Sequence, residues 1–274
     1  MTVENILSYE FMQNAILTGI MASIICGVIG PFIVTKRMVF ISGGLSHTAL
    51  GGLGIAYWLG VKPLYGATAF VLISAGIIGN LKEKISDLFI GILWAVGVAI
   101  GIIFIHMTPG YAPDLMAFLF GNILMIPRAD VIITFILVLI VTLPVFIFYR
   151  GFVSIALDEE YARARKLPVR ALNMGLIILI ALSIVTLIQV VGIILVIALL
   201  TIPVAVASEI SLSFKRIMLL SIGFGIVLCL SGLFISYLLE LPSGASIILI
   251  GGILLILVKG AKRLSSHHRT IVSK

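Results

Sequence analysis

Apolar runs of about bilayer length follow one another along almost the whole chain, separated by short polar gaps, and this succession constrains the fold more than any other feature. A hydrocarbon core of about 30 Å is crossed by about 20 residues of helix. In lipid a helix is also one of only two ways to satisfy every backbone polar group. On that ruler the 274 residues divide into about nine spans, between eight and ten: 11–35, 39–59, 64–81, 88–107, 131–149, 172–190, 192–208, 217–239 and 245–258. The apolar run 171–207 is too long for one crossing and barely long enough for two, so Gln189 and Gly192 mark its turn. The expectation is an all-α, polytopic transmembrane bundle forming a single domain over 1–274. A composition 61% hydrophobic and only 11% charged excludes an ordinary soluble domain.

Charge gives the layout a direction. If Lys36 and Arg37 leave the first span on the cytoplasmic side, alternation places all 18 basic residues there except Lys62 and Arg128. Glu4, Glu10, Asp114, Asp130 and Glu240 fall on the outer side. The asymmetry predicts amino terminus out and carboxyl terminus in. It also accounts for the net charge of +7 without any nucleic-acid partner. Cys26 and Cys229 lie within apolar runs, with no metal or redox spacing, and read as packing residues.

Two segments depart from the pattern. Residues 113–126 are apolar but too short to cross, bounded by Pro113 and Pro127 and interrupted by Gly121 and Asn122; they suit a re-entrant or interfacial helix. Residues 154–170 form the longest polar insertion. Asp158, Glu159 and Glu160 lead it, Arg163, Arg165 and Lys166 end it and Pro168 closes it, which are start and stop signals of a short cytoplasmic helix. A basic tail follows at 259–274, and its His267 and His268 read as solvated.

The chemistry concentrates at 40–57, where five glycines, two serines, a threonine and His47 interrupt an apolar span. Gly43, His47, Gly51 and Gly54 share a helix face. Small residues at such spacing allow close helix packing, so the stripe reads either as plain packing or as the lining of a path. His47 lies about eight residues from the cytoplasmic end, ~12 Å deep at 1.5 Å per residue. An imidazole at that depth needs a partner, and neutral imidazole is a ligand for transition metals. One histidine is a poor metal site, so Ser42, Ser46 and Thr48, or the same histidine of a second copy, are the expected supplements. His106 and Asp114 are candidates for an outer entrance, against the plainer reading of His106 as an interfacial anchor. Glu209 reads as a helix-end carboxylate paired with Lys215 or Arg216.

Absences narrow the mechanism. No Asp or Glu lies deep in any expected span, whereas ion-coupled carriers keep an intramembrane carboxylate. The chain has no phosphate-binding Gly-x-x-x-x-Gly-Lys-[Ser/Thr] loop, so any ATP-driven step belongs to another subunit. Ser46 and His47 are adjacent and point about 100° apart on a helix, which does not suit nucleophilic catalysis. The chain is therefore read as a transport subunit rather than an enzyme.

Over nearly its whole length the chain resembles the permease subunits of bacterial zinc, manganese and iron(II) ABC importers, a group related to the vitamin B12 importer. The matching stretches are Tyr9-Glu-Phe-Met-Gln-Asn-Ala-Ile-Leu, Leu45-Ser-His-Thr-Ala-Leu-Gly-Gly, Phe118-Leu-Phe-Gly-Asn-Ile-Leu, Asp158-Glu-Glu-Tyr-Ala and Val191-Gly-Ile-Ile-Leu-Val-Ile-Ala-Leu-Leu-Thr-Ile-Pro-Val-Ala-Val-Ala. The resemblance implies two copies around a central path, two cytoplasmic ATPase subunits that hold the ATP, and an extracytoplasmic metal-binding protein, in a bacterial or archaeal plasma membrane. The cargo is a divalent metal ion as substrate, with no permanently bound cofactor. Asp158, Glu159, Glu160, Tyr161 and Ala162 then match the coupling helix that docks on the ATPase. Many members read Asp-x-x-[Ser/Ala]-His in the second span; here His47 and Ser46 match and Gly43 stands at the Asp position. Two imidazoles without that carboxylate lean toward zinc over manganese. A metal chelate or cobalamin-like cargo is the alternative within transport, and an ion-coupled secondary carrier the alternative outside it.

Overall fold

The computed structural model describes residues 8–81, 83–109, 119–121 and 123–272, with 83–86 and 263–272 as backbone alone. In chain order the helices are α1 Glu10–Thr35, α2 Val39–Trp58, α3 Pro63–Asn80, α4 Glu83–Met107, α5 Arg128–Ile147, α6 Tyr149–Leu157, α7 Glu159–Ala164, α8 Val169–Ile210, α9 Phe214–Leu239 and α10 Ser243–Val272. No strand occurs among the described residues. Eight of these helices are long and apolar enough to cross a membrane.

One of the eight accounts for two crossings. α8 is 42 residues long and is broken at Gly192, where φ 78 and ψ 166 leave the helical region. A continuous helix of that length would span about 63 Å, twice the hydrocarbon thickness. Its contacts show that the chain turns back. Arg170 reaches Asn80 at one end of the bundle, Gly192 lies against Gly121 at the other, and Glu209 returns to the first end, bonded to Lys262. The run 171–207 is thus two spans joined at Gly192, one of the two residues marked in the sequence.

Both glycines at this turn have left-handed φ, 66 for Gly121 and 78 for Gly192. A Cβ on either would fall on the backbone of the other, so two chain segments meet here with no room for side chains. The described part of the 113–126 segment belongs to this junction. Ile123 is buried, Asn14 Nδ2 donates to the Ile126 carbonyl at 3.2 Å, and Gly244 at the start of α10 backs onto Phe120. Residues 113–118 and Asn122 lie outside the described residues.

The interior is made by α1, α2 and α8, whose apolar windows are 78%, 72% and 67% buried. α3, α4, α5 and α10 lie around them, between 22% and 28% buried. On α4, Leu88, Ile92, Val96 and Ile103 form an exposed apolar stripe at helical spacing, the face that lipid covers in a membrane protein. The glycines of α2 are used inside the chain. Gly52 meets Gly66 of α3, and Gly54 and Gly51 meet the carbonyls of Gly101 and Gly97 of α4. These are close backbone approaches of the small-residue kind.

The chain leaves α1 through a tight reversal. Arg37 sits in the left-handed region at φ 57, the Met38 amide donates to the Ile33 carbonyl and the Arg37 amide to that of Val34, the pairing of a Schellman cap. Lys36 is the C-cap, and α2 starts three residues later. Lys166 closes α7 in the same way, with φ 59 and the Leu167 amide donating to the Ala162 carbonyl. Cys26 and Cys229 are both buried thiols, in keeping with a packing role.

Candidate functional site

His47 lies on α2 about two fifths of the way along the helix, half-buried among residues that are almost all buried. Its Nδ1 is 2.9 Å from the Gly43 carbonyl oxygen, one turn earlier. A carbonyl only accepts, so Nδ1 carries the proton and Nε2 presents its lone pair. This arrangement, with one ring nitrogen held by a backbone oxygen and the other free, is the one that orients histidines as metal ligands. Trp94 of α4 stacks on the imidazole at 4.1 Å between ring centroids and 26° between planes, fixing the ring's tilt. Phe40 sits beyond the indole at 6.2 Å.

Position 43 is open enough for a side chain to start. A Cβ there would meet Ile197 Cδ1 and Trp94 Cζ3, each at 3.5 Å, which is ordinary contact. The second half of α8 therefore passes beside His47's face of α2. Thr201, four residues on from Ile197, has its hydroxyl bonded to the Ile197 carbonyl.

The hydroxyls expected to supplement His47 are turned elsewhere. Ser42, Ser46 and Thr48 are buried, and each donates to its own helix: Ser42 to Val39 at 2.8 Å, Ser46 to Ser42 at 2.8 Å and Thr48 to Leu45 at 2.9 Å. Back-bonding of this kind is how a short hydroxyl is satisfied in apolar surroundings. Thr48 in addition packs on Gly97. Within one chain, His47 is thus the one of these polar side chains in this turn whose second polar atom is not committed to its own helix. Gly51 and Gly54 belong to the contact with α4, which is the packing reading of the stripe and leaves them unavailable to a second copy.

Other expected site residues are scattered. His106 is exposed at the far end of α4, and its proposed companion Asp114 lies outside the described residues, as do the side chains of His267 and His268. Glu209 pairs with Lys262 at 2.7 Å rather than with Lys215 or Arg216, because α10 brings its own lysine to the end of α8. Among the described residues no three His, Cys, Asp or Glu side chains converge.

The polar insertion holds the expected short helix as α7, preceded by the end of α6, which runs into the insertion from Tyr149. α6 buries Phe152 and Ile155, with Phe152 edge-on to Phe32 of α1 at 6.2 Å. α7 is capped by Asp158, whose Oδ1 accepts from the Tyr161 amide at 2.9 Å. Ala162 is fully buried, while Glu160, Tyr161, Arg163 and Arg165 are exposed. The Arg165 guanidinium lies over the Tyr161 ring at 5.6 Å. Glu159 turns the other way and bonds Lys36 Nζ at 2.6 Å and Asn173 Nδ2 at 3.0 Å. Partial burial pushes its carboxyl up, but the bonds from Lys36 and Asn173 and the charges of Lys36 and Arg163 outweigh that, and the net shift is downward. A depressed carboxyl contributes its full stabilisation above the ordinary carboxylate pKa and loses it as pH falls through the lowered value. The contact therefore stays ionised throughout the neutral range.

Sequence reasoning missed Trp94 and the Lys36–Glu159–Asn173 cluster. For Trp94 a signal existed: tryptophans of membrane proteins concentrate at the two interfaces, as Trp58 does at the end of α2, whereas Trp94 sits well inside its span.

Among the described residues the body is all-helical, with eight helices long and apolar enough to cross a membrane, the architecture of a multi-pass membrane protein. The chain belongs to the ABC 3 transport family, whose model matches residues 8–261. It is 44% identical over 250 residues to a membrane protein of Synechocystis sp., covering 90% of this chain and 89% of that one. It is 36% identical over 255 residues to the manganese transport system membrane protein MntC of Listeria innocua, covering 92% and 91%. Among solved structures it matches a chain of PsaBC from Streptococcus pneumoniae in complex with Fab, at TM-score 0.84, 33% identity and 93% coverage of both chains.

Proposed function

We propose that this chain is the membrane path of an ATP-driven importer for a divalent transition-metal ion. It works as a pair of copies in a prokaryotic plasma membrane, with its basic end in the cytoplasm against two ATPase subunits and its other end receiving metal from an extracytoplasmic binding protein. The observation that carries the reading is the His47 imidazole, its Nδ1 tied to Gly43 and its Nε2 left to meet an ion. A single imidazole does not complete a coordination shell, and the nearby hydroxyls are committed to their own helix. The second copy's His47 supplies the missing donor. A shell of few ligands suits passage, since the ion must also leave. ATP binding and hydrolysis on the partners then switch the pair between outward and inward access.

Donor chemistry favours zinc, because two imidazoles and no carboxylate make a nitrogen site. A manganese reading is favoured by a different observation, that the Listeria innocua relative is named as part of a manganese transport system. Uptake of zinc and manganese into proteoliposomes holding the chain with its ATPase separates the two. We expect zinc to be taken up faster, and Gly43→Asp, which adds a hard oxygen donor where a Cβ fits, to raise the manganese-to-zinc ratio about tenfold. Manganese preference in the unsubstituted protein would overturn the zinc assignment. ATP-independent, gradient-driven uptake by the chain alone would overturn the importer reading itself.

A further inference from the structure

Glu159 is the first residue of α7, yet its carboxylate points back into the bundle. Its Oε1 accepts from Lys36 Nζ and Asn173 Nδ2, its Oε2 faces Arg163 at 3.7 Å, and the same Lys36 ammonium donates to the Ile155 carbonyl at 3.1 Å. One ion pair thus joins the end of α1, the end of α6, the start of α7 and the first turns of α8. The pair is well shielded, with the Lys36 side chain 13% exposed and that of Glu159 28%. Lys36 is the C-cap of α1, and the reversal at Arg37 links it directly to α2, the helix of His47. Beside the pair lies a cavity of about 590 Å³, lined also by Arg37, Asp87 and Arg170, which leaves α7 space to shift against its neighbours.

We propose that Glu159 is a positioning residue, a latch that passes displacement of α7 to the α1–α2 turn, and that it takes no part in docking the ATPase. Docking belongs to the exposed side chains that turn away from this contact, Glu160, Tyr161 and Arg165. This rests on the reading of α7 as the ATPase contact. Ala162 and the helices seat α7, but the Lys36–Glu159 contact is the charged tie between α7 and the helix leading to His47. A neutral isostere at 159 keeps the shape and the Asn173 contact while removing the charge, so it separates linkage from folding.

The test uses the reconstituted complex of permease, ATPase and binding protein, and measures metal transported per ATP hydrolysed together with retention of the ATPase on purification. Glu159→Gln and Lys36→Met are each expected to retain the ATPase and its hydrolysis while lowering the transport ratio about fivefold or more. The double variant is expected to be no worse than either single one, because both remove the same contact. Lys36→Arg, which keeps a cation in place, is expected to stay within about twofold of the unsubstituted ratio. Loss of the ATPase from the Glu159→Gln complex would make Glu159 a docking residue and overturn the proposal. So would an unchanged ratio in the single variants, or losses that multiply in the double one. If the unsubstituted complex moves no metal, the transport reading fails and not the latch.

Discussion

Gly192→Val is expected to abolish the folded state or to lower its melting midpoint by at least about 8 °C, while Gly223→Val leaves it within about 2 °C. Gly192 has φ 78 and ψ 166, a region that side-chain-bearing residues occupy only at a cost of about 1–3 kcal/mol. The Cβ would in addition land on the backbone of Gly121 and Phe120, where no side chain can rotate aside. Relief would require parting the junction that turns one apolar run into two crossings. The sum, about 4 kcal/mol or more, belongs to the exceptional class of single substitutions. Gly223 has nothing within 4 Å of a built Cβ, so it controls for the generic effect of removing a helical glycine. Fluorescence-detected size exclusion after heating reads both. A Gly192→Val protein that melts with the control would show that the two halves of α8 are not held by this turn.

The second large effect concerns transport. His47→Ala and His47→Phe are each expected to lower ATP-driven metal uptake by at least about 100-fold, given that losing even an outer-shell partner of a metal ligand costs 10–100-fold. The phenylalanine variant is the sharper of the two. It keeps a flat ring against Trp94, where the imidazole now stacks at 4.1 Å, and so removes the donor without emptying the space. ATPase turnover is expected to persist in both, because neither substitution touches α7 or its tie to Lys36. Uptake by His47→Phe within threefold of the unsubstituted protein would assign His47 to packing.

Much of the architecture was legible because lipid enforces it. The spans could be read by length, and the double run 171–207 betrayed its turn because no single helix of that length fits a bilayer. α7 was legible as a short helix from Asp158, the acidic first turn and the basic end, all local signals. What was not legible involves distant contacts. Trp94 meets His47 across 47 positions of sequence, and Lys36 meets Glu159 across 123. Ser42, Ser46 and Thr48 looked like ligands by proximity in sequence, but a short hydroxyl in an apolar helix is claimed first by its own backbone. Gly51 and Gly54 read from the sequence as close helix packing or as the lining of a path, and the positions of Gly97 and Gly101 show the packing. Glu209 was matched to the nearest lysine in sequence, whereas the fold supplies Lys262.

An ion shared between two copies of His47 is the core of the proposed path, and X-ray absorption at the zinc edge addresses that contact directly. The purified chain, loaded with one zinc per two chains, should show nitrogen ligation with outer-shell scattering from about two imidazole rings, and that signature should vanish in His47→Phe. A spectrum unchanged by the substitution, or saturation at one zinc per chain without imidazole scattering, would contradict it.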